Sequence, residues 1–199
     1  DILKKKLMVL CAVAIMISTC LMGEDEFWKN PLGSAGIGGT YQIFGDTFAN
    51  LISSKSKKYN IEVKTTAGSA ANLRLLSKDY IQMAVAQMDL INDAYNRTGI
   101  LNDKKYQEYR AVASLYTEAC QIVVPADSDI QSMDDLEGKK GLIGEEESGT
   151  EQNALQILNA YGLNERLVDT VNLNYTDAAK KLNLAILMHF SVPQVFRRL

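Results

Sequence analysis

Residues 33–44 read Gly-Ser-Ala-Gly-Ile-Gly-Gly-Thr-Tyr-Gln-Ile-Phe. Four glycines in seven residues, ahead of an apolar helical run, suit a loop whose backbone must approach a ligand or a neighbouring element closely. Two phosphate-binding chemistries use such loops, and neither fits. A dinucleotide fingerprint begun at Gly36 puts Tyr41 where its third glycine belongs, and the next strand ends in Thr65-Thr66 with no acidic residue. A P-loop needs a lysine before its Ser or Thr, but Gly39 precedes Thr40.

Two more junctions share this character: Thr66-Ala-Gly-Ser-Ala-Ala-Asn72 and Glu146-Glu-Ser-Gly-Thr-Glu-Gln-Asn153. Each stands between a strand-like and a helix-like stretch. A helix N-terminus offers unpaired N–H groups and partial positive charge, which hold a carboxylate or another anion. Small hydroxyl residues there are also ordinary caps, so Ser69 reads equally as a plain N-cap. Three such junctions on the carboxyl side of strands point to a shared cleft.

Catalytic constellations are missing from the sequence. His189 is the single histidine, and the three cysteines are Cys11, Cys20 and Cys120. None has a clustered partner, so no metal site, no cofactor and no nucleophilic dyad is expected. The expectation is a chain that is not an enzyme. Cys120, between Ala119 and an apolar run, reads as a small buried residue. A net charge of −3 argues against a nucleic-acid partner.

The elements that must position the junctions alternate along the chain. The first assigned element is a helix from Tyr41, with Tyr41, Phe44, Phe48, Leu51 and Ile52 on one face. A strand over 60–66, a helix from Ser69, a strand over 80–87 and a short helix closed by Gly99 follow. Strands are expected at 109–116 and 120–125, then a helical turn near 132–138, a strand at 139–144, an amphipathic helix over 148–162, a strand at 167–174 and a helix over 175–182. This alternation predicts an α/β fold with substantial parallel pairing. At the N-terminus, Lys4-Lys5-Lys6 precedes an apolar run over 7–17 and an acidic stretch, the order of a secretory signal. The run is short for a membrane span, which needs about 20 residues. Cys20 after Ile-Ser-Thr resembles a lipobox, with Thr19 larger than the residue usual before such a cysteine.

In order, Leu32–Gly45, Thr66–Leu76, Met83–Gly99, Arg110–Lys140 and Ser148–Leu163 together resemble the solute receptors of TRAP transporters, TAXI subfamily. The resemblance covers roughly 32–182. It implies a two-lobed, periplasmic-binding-protein-like fold of type II. The implied division is a signal or lipoprotein signal at 1–23, a first lobe at 24–119 and a second lobe at 120–199. It further implies an extracytoplasmic location, a small organic anion or amino acid (glutamate-like or dicarboxylate) between the lobes, and delivery to a TRAP-type permease driven by an ion gradient. Matched residue by residue, Gly38, Gly39, Thr40 and Tyr41 form the first ligand loop. Thr40 would donate its hydroxyl, and Tyr41 would wall the pocket or pack with Phe44 and Phe48. Ser69 and Asn72 match the next motif. Gln87 and Asp89 match the third, with Met88 where the family has Ser, and Asp89 also reads as a helix cap. Tyr116 and Glu118 stand near the lobe crossing, where Glu118 also reads as a surface charge. Ser148, Gly149 and Thr150 would supply the second lobe's anion-binding helix start. An α/β enzyme using the glycine loop for phosphate, and a non-binding remnant, are the alternatives.

The last segment, 183–199, departs from the family and shows no periodicity. Permitted codons for Ile186–Leu199, read from their third base, give I-D-A-F-F-C-T-A-G-V-P-T-T, which resembles the family's continuation. The expectation is therefore a frameshift near Leu182–Asn183 that leaves the second lobe incomplete and ligand binding impaired.

Overall fold

The computed structural model describes residues 28–102, 104–181 and 186–191. The expected signal segment, with Cys11 and Cys20, lies outside the described residues, as do 182–185 and 192–199.

The first sheet has three parallel strands, β1 (Trp28–Gly33), β2 (Tyr59–Lys64) and β3 (Met83–Ala84), in the order β2-β1-β3. The central strand β1 was not assigned from the sequence, and it carries Pro31, a residue disfavoured in an inner strand. The structure accommodates it. Gln82 N–H donates to the Pro31 carbonyl at 3.0 Å, so the missing N–H falls on the β3 side, ahead of a ladder that starts only at Met83. Helix α1 (Thr40–Lys55) buries Tyr41, Gly45 and Ala49, one face at a spacing of four. A Cβ on Gly45 would stand 3.0 Å from Val63, so its absence lets α1 lie close on the sheet. Leu51, expected on this face, is exposed; the buried stripe runs through Tyr41, Gly45 and Ala49, with Phe44 and Phe48 stacked at its margin.

Helices α2 (Ser69–Ser77) and α3 (Met88–Asn96) pack together through Ala70, Leu73, Leu90 and Ala94. Helix α3 ends at Arg97 in the left-handed conformation rather than at Gly99, with Thr98 N–H closing on the Asp93 carbonyl. The segment 109–116, expected as a strand, forms no regular element. It joins no sheet among the described residues, Val112 is exposed, and Tyr116 instead packs on the α1 core.

The second sheet contains β4 (Ala119–Val123), β5 (Lys140–Leu142), β6 (Asp169–Val171) and β7 (Ile186–Ser191), in the order β4-β7-β5-β6. β7 is antiparallel to β4 and parallel to β5. No element was assigned to 186–191 from the sequence; this short apolar run fills an inner slot, a placement that local pattern cannot specify. Beside this sheet lie α4 (Gly149–Ala160) and α5 (Tyr175–Lys181). Strand β5 shows why both sides are covered. Leu142 packs with Ala178 of α5, while Ile143, one residue on, joins Ala154 and Leu158 of α4. The result is an α/β fold with a separate core around each sheet.

Asn72 ties the carboxyl ends of the first sheet together. It is fully buried, its Nδ2 donates to the carbonyls of Ser34 (2.7 Å) and Val85 (2.8 Å), and its Oδ1 accepts from Thr66 Oγ1 (2.7 Å). Replacing Asn72 with Ala leaves the Val85 carbonyl without this donor and removes one partner each from the Ser34 carbonyl and Thr66 Oγ1, which keep their mutual hydrogen bond of 3.1 Å. We expect a loss of about 2–4 kcal/mol in a urea melt, and an unchanged melting midpoint would contradict this role.

Candidate functional site

The strands of the first sheet, with β5 and β6 of the second, run their carboxyl ends toward one seam, and the three glycine- and hydroxyl-rich junctions meet there. The first loop lies against the second sheet's loops. A Cβ on Gly36 would fall 2.6 Å from a Glu145 carboxylate oxygen, one on Gly38 3.0 Å from Thr176 Oγ1, and one on Gly39 3.4 Å from the Tyr175 ring. Thr40 itself is exposed.

At the second junction Gly68, not Ser69, is the N-cap of α2. Its φ of +127° suits glycine, and its bare Cα faces Ser148, 3.5 Å from where a Cβ would stand. Ser69, the first helical residue, accepts Gln87 N–H on its Oγ at 3.0 Å, which ties α2 to the end of β3. Asn72 directs its amide into the sheet, as described above.

At the third junction Ser148 caps α4, accepting Glu151 N–H at 3.0 Å, while Glu151 Oε2 accepts Glu147 N–H at 2.7 Å. This is close to a reciprocal capping box. Gly149 is pressed against the other lobe, since a Cβ there would lie 1.7 Å from Gln87 Oε1 and 2.9 Å from Ser69 Oγ. Thr150 Oγ1 and Tyr175 Oη share a hydrogen bond of 2.6 Å. Among the described residues, polar links that cross the seam include Ala71 N–H to the Glu147 carbonyl (3.1 Å), Arg74 to Glu147, and Asn153 Nδ2 to Asp89.

Beside these links lies a cavity of ≈ 580 Å³. Tyr41, Gln87, Asp89, Tyr116 and Glu118 line it, so five of the expected residues come together. Gly38, Gly39, Thr40, Ser69, Asn72, Ser148, Gly149 and Thr150 do not line it; they build the seam or the sheet ends around it. Tyr41 lines the cavity and also packs in a core. Its ring is buried in the α1 core and its Oη donates to Glu118 Oε2 at 2.9 Å. Asp89 is exposed, in the first turn of α3, and its Oδ1 accepts Leu90 N–H; Gln87 holds the N-cap position. Cys120 is exposed and lines the cavity, contrary to the buried position expected, because alternation along β4 turns it off the core side.

The electrostatics follow from burial. Glu118 is half-buried, and desolvation raises its carboxyl above the usual range although hydrogen bonds from Tyr41 and Gln87 oppose the shift. Desolvation and then the Glu118 charge push the Tyr41 and Tyr116 phenols upward. Burial also raises Tyr175 and Glu145, two residues of the seam that the sequence reading missed. Tyr175 had a signal: it opens a helix just after a strand, a fourth junction of the kind already noted.

A family model described as NMT1-like family matches residues 32–192. The chain belongs to the NMT1-like family. Among solved structures, this NMT1-like chain is similar to the alkanesulfonate-binding protein SsuA from Xanthomonas axonopodis pv. citri bound to MOPS. The TM-score is 0.53 at 16% identity, over 82% of this chain and 54% of that one. It is also similar to the regulatory domain of CcmR from Synechocystis PCC6803 in complex with 2-PG, with a TM-score of 0.52 at 9% identity over 86% and 76%. The periplasmic aliphatic sulphonate binding protein SsuA from Escherichia coli matches at a TM-score of 0.46 and 15% identity, over 82% and 51%. The chain therefore spans about half the length of the two sulfonate-binding proteins. The likenesses at TM-scores of 0.53 and 0.52 show a periplasmic-binding-protein-like α/β fold.

A pH dependence follows for Glu118. A carboxyl raised in the folded state binds its proton more tightly there, so its contribution to stability falls as pH climbs from the ordinary carboxylate value through the raised one. Glu118→Gln removes that loss. Melting temperatures of the two proteins are expected to converge below pH 4, with the variant the more stable near pH 7; a variant less stable at pH 7 would contradict the burial argument.

Proposed function

We propose that this chain is an extracytoplasmic solute-binding receptor that delivers a small carboxylate or amino acid to a membrane importer. The observation that supports it best is the convergence of Tyr41, Gln87, Asp89, Tyr116 and Glu118 on one cavity at the seam between two α/β units. Ligands of open α/β sheets bind outside the carboxyl ends of strands, and a cleft between two lobes can close over a small molecule and exclude water. In this reading the first lobe is 24–119 and the second 120–199, with Tyr116 and Glu118 near the crossing.

The motif resemblance favours a TRAP-type permease of the TAXI class as the partner, over an ATP-driven importer. A secretory signal at 1–23, with Cys20 as the site of lipid attachment, would place the receptor outside the cytoplasmic membrane. No helix among the described residues is long and apolar enough to cross a membrane.

The reading is tested by thermal shift on the full chain against amino acids, carboxylates, sulfonates and nucleotides. A ligand at 100 times its Kd stabilises by about 2.7 kcal/mol, which for a chain of this size raises Tm by roughly 5–10 °C. We expect a shift of that order with an amino acid or carboxylate and none with nucleotides. A shift with nucleotides alone, or none with any small solute, would overturn the reading.

A further inference from the structure

We propose that residues 192–199 dock as a strand along 111–118, so that the chain's own tail forms part of the wall of the cavity beside the seam. The proposal goes beyond the receptor reading and does not rest on it.

The register of the second sheet is the first argument. β7 is antiparallel to β4, with Val123 opposite Leu187 and Ala119 opposite Ser191. In such a pair each step forward on one strand is a step back on its partner. Carried past Ser191, the same register sets Val192 opposite Glu118, Val195 opposite Leu115 and Leu199 opposite Ala111. The two segments match residue for residue, and strands advance about 3.3 Å per residue. Pro193 falls opposite Thr117; lacking an N–H, it removes at most one bond of the ladder.

The state of 111–118 is the second argument. Among the described residues no hydrogen bond involves the backbone of 111–117, and Val112 is 95% exposed. Backbone N–H and C=O groups left unpaired beside a sheet are a template for an added strand. All of 111–118 except Val112 lines the cavity, together with Ala84–Ala86 at the end of β3, an edge strand of the first sheet. β7 lies against α4, and Asn153, Gln156 and Ile157 of that helix line the same cavity. The chain therefore leaves Ser191 at the site it is proposed to fill.

Charge is the third argument. Asp89 and Glu118 line the cavity, and no Lys, Arg or His is among its lining residues. The tail carries Arg197 and Arg198, which the register sets opposite Ala113 and Val112. A segment with two cations complements a wall with two carboxylates. Val195 stands opposite Leu115, a leucine 45% exposed in the absence of a neighbouring strand, and an opposed apolar pair of this kind stabilises a ladder. A tail docked here takes up wall that a solute would otherwise contact.

The experiment is amide hydrogen exchange of the full chain, read by mass spectrometry on peptides covering 111–118. The native protein is compared with a variant carrying Gln194→Pro and Val195→Pro, which removes whichever of the two N–H groups faces 111–118. Exchange over 111–118 is expected to be ~10-fold or more slower in the native protein, the protection of a paired strand. Equal rates overturn the proposal. If the proline variant does not fold, cysteine pairs in the full chain decide. Opposed residues have Cβ atoms about 4.5–5.5 Å apart, close to the reach of a disulfide, while a one-residue slip turns the side chain to the other face. Leu115→Cys with Val195→Cys should therefore link on mild oxidation, and Leu115→Cys with Phe196→Cys should not, the linked peptides being identified by mass because Cys120 is exposed. No link in the first pair, or equal linking in both, overturns the proposal. Neither measurement uses a solute, so failure here leaves the receptor reading standing, and failure of the thermal-shift screen leaves the docked tail standing.

Discussion

The structure depends on a head-to-head contact between two helix N-termini. Helix α2 from the first unit and α4 from the second meet at Gly68, Ser69, Ser148 and Gly149, where a Cβ on Gly149 would collide with Gln87 Oε1 and Gly68 is held by its φ of +127°. Each helix start carries partial positive charge, so the contact is unfavourable unless acceptors stand around it. They do: the Glu147 carbonyl takes Ala71 N–H, the Gln87 amide oxygen is pressed against Gly149, and Ser148 and Glu151 cap α4. The side-chain links Arg74–Glu147 and Asp89–Asn153 flank it. Each pair is partly exposed and contributes little singly; together they set the two units in register.

That register makes the cavity. Gln87, the N-cap of α3, lies against Gly149 and also lines the cavity. Tyr41 belongs to the α1 core, yet its hydroxyl reaches Glu118 beside β4, the first strand of the second sheet. The same residues thus pack the two units together and shape the cavity.

Most of the helices and the polar character of the second and third junctions were legible because they are local: periodicity, caps and turns are written within a few residues. What escaped was set by distant partners. β1 carries a proline that only its place beside the short β3 makes harmless. The run 186–191 has strand-forming residues, but its slot between β4 and β5 is fixed by topology. Segment 109–116 has strand propensity and finds no strand to pair with among the described residues. In the site, residue types pointed to Tyr41, Gln87, Asp89, Tyr116 and Glu118, which the fold brings together. They could not show that Asn72 faces the sheet, that Ser69 binds Gln87 N–H rather than capping α2, or that Tyr175 and Glu145 close over the glycine loop.

The most direct test of the account is Gly149→Val, followed by small-angle scattering and by titration with whichever solute stabilises the native chain. A valine side chain here collides with Gln87 Oε1 and Ser69 Oγ where they now stand. The account predicts an unchanged far-ultraviolet circular dichroism spectrum, a larger radius of gyration and a loss of at least ~10-fold in affinity. A variant with the native radius of gyration and native affinity would contradict the claim that this contact builds the ligand site.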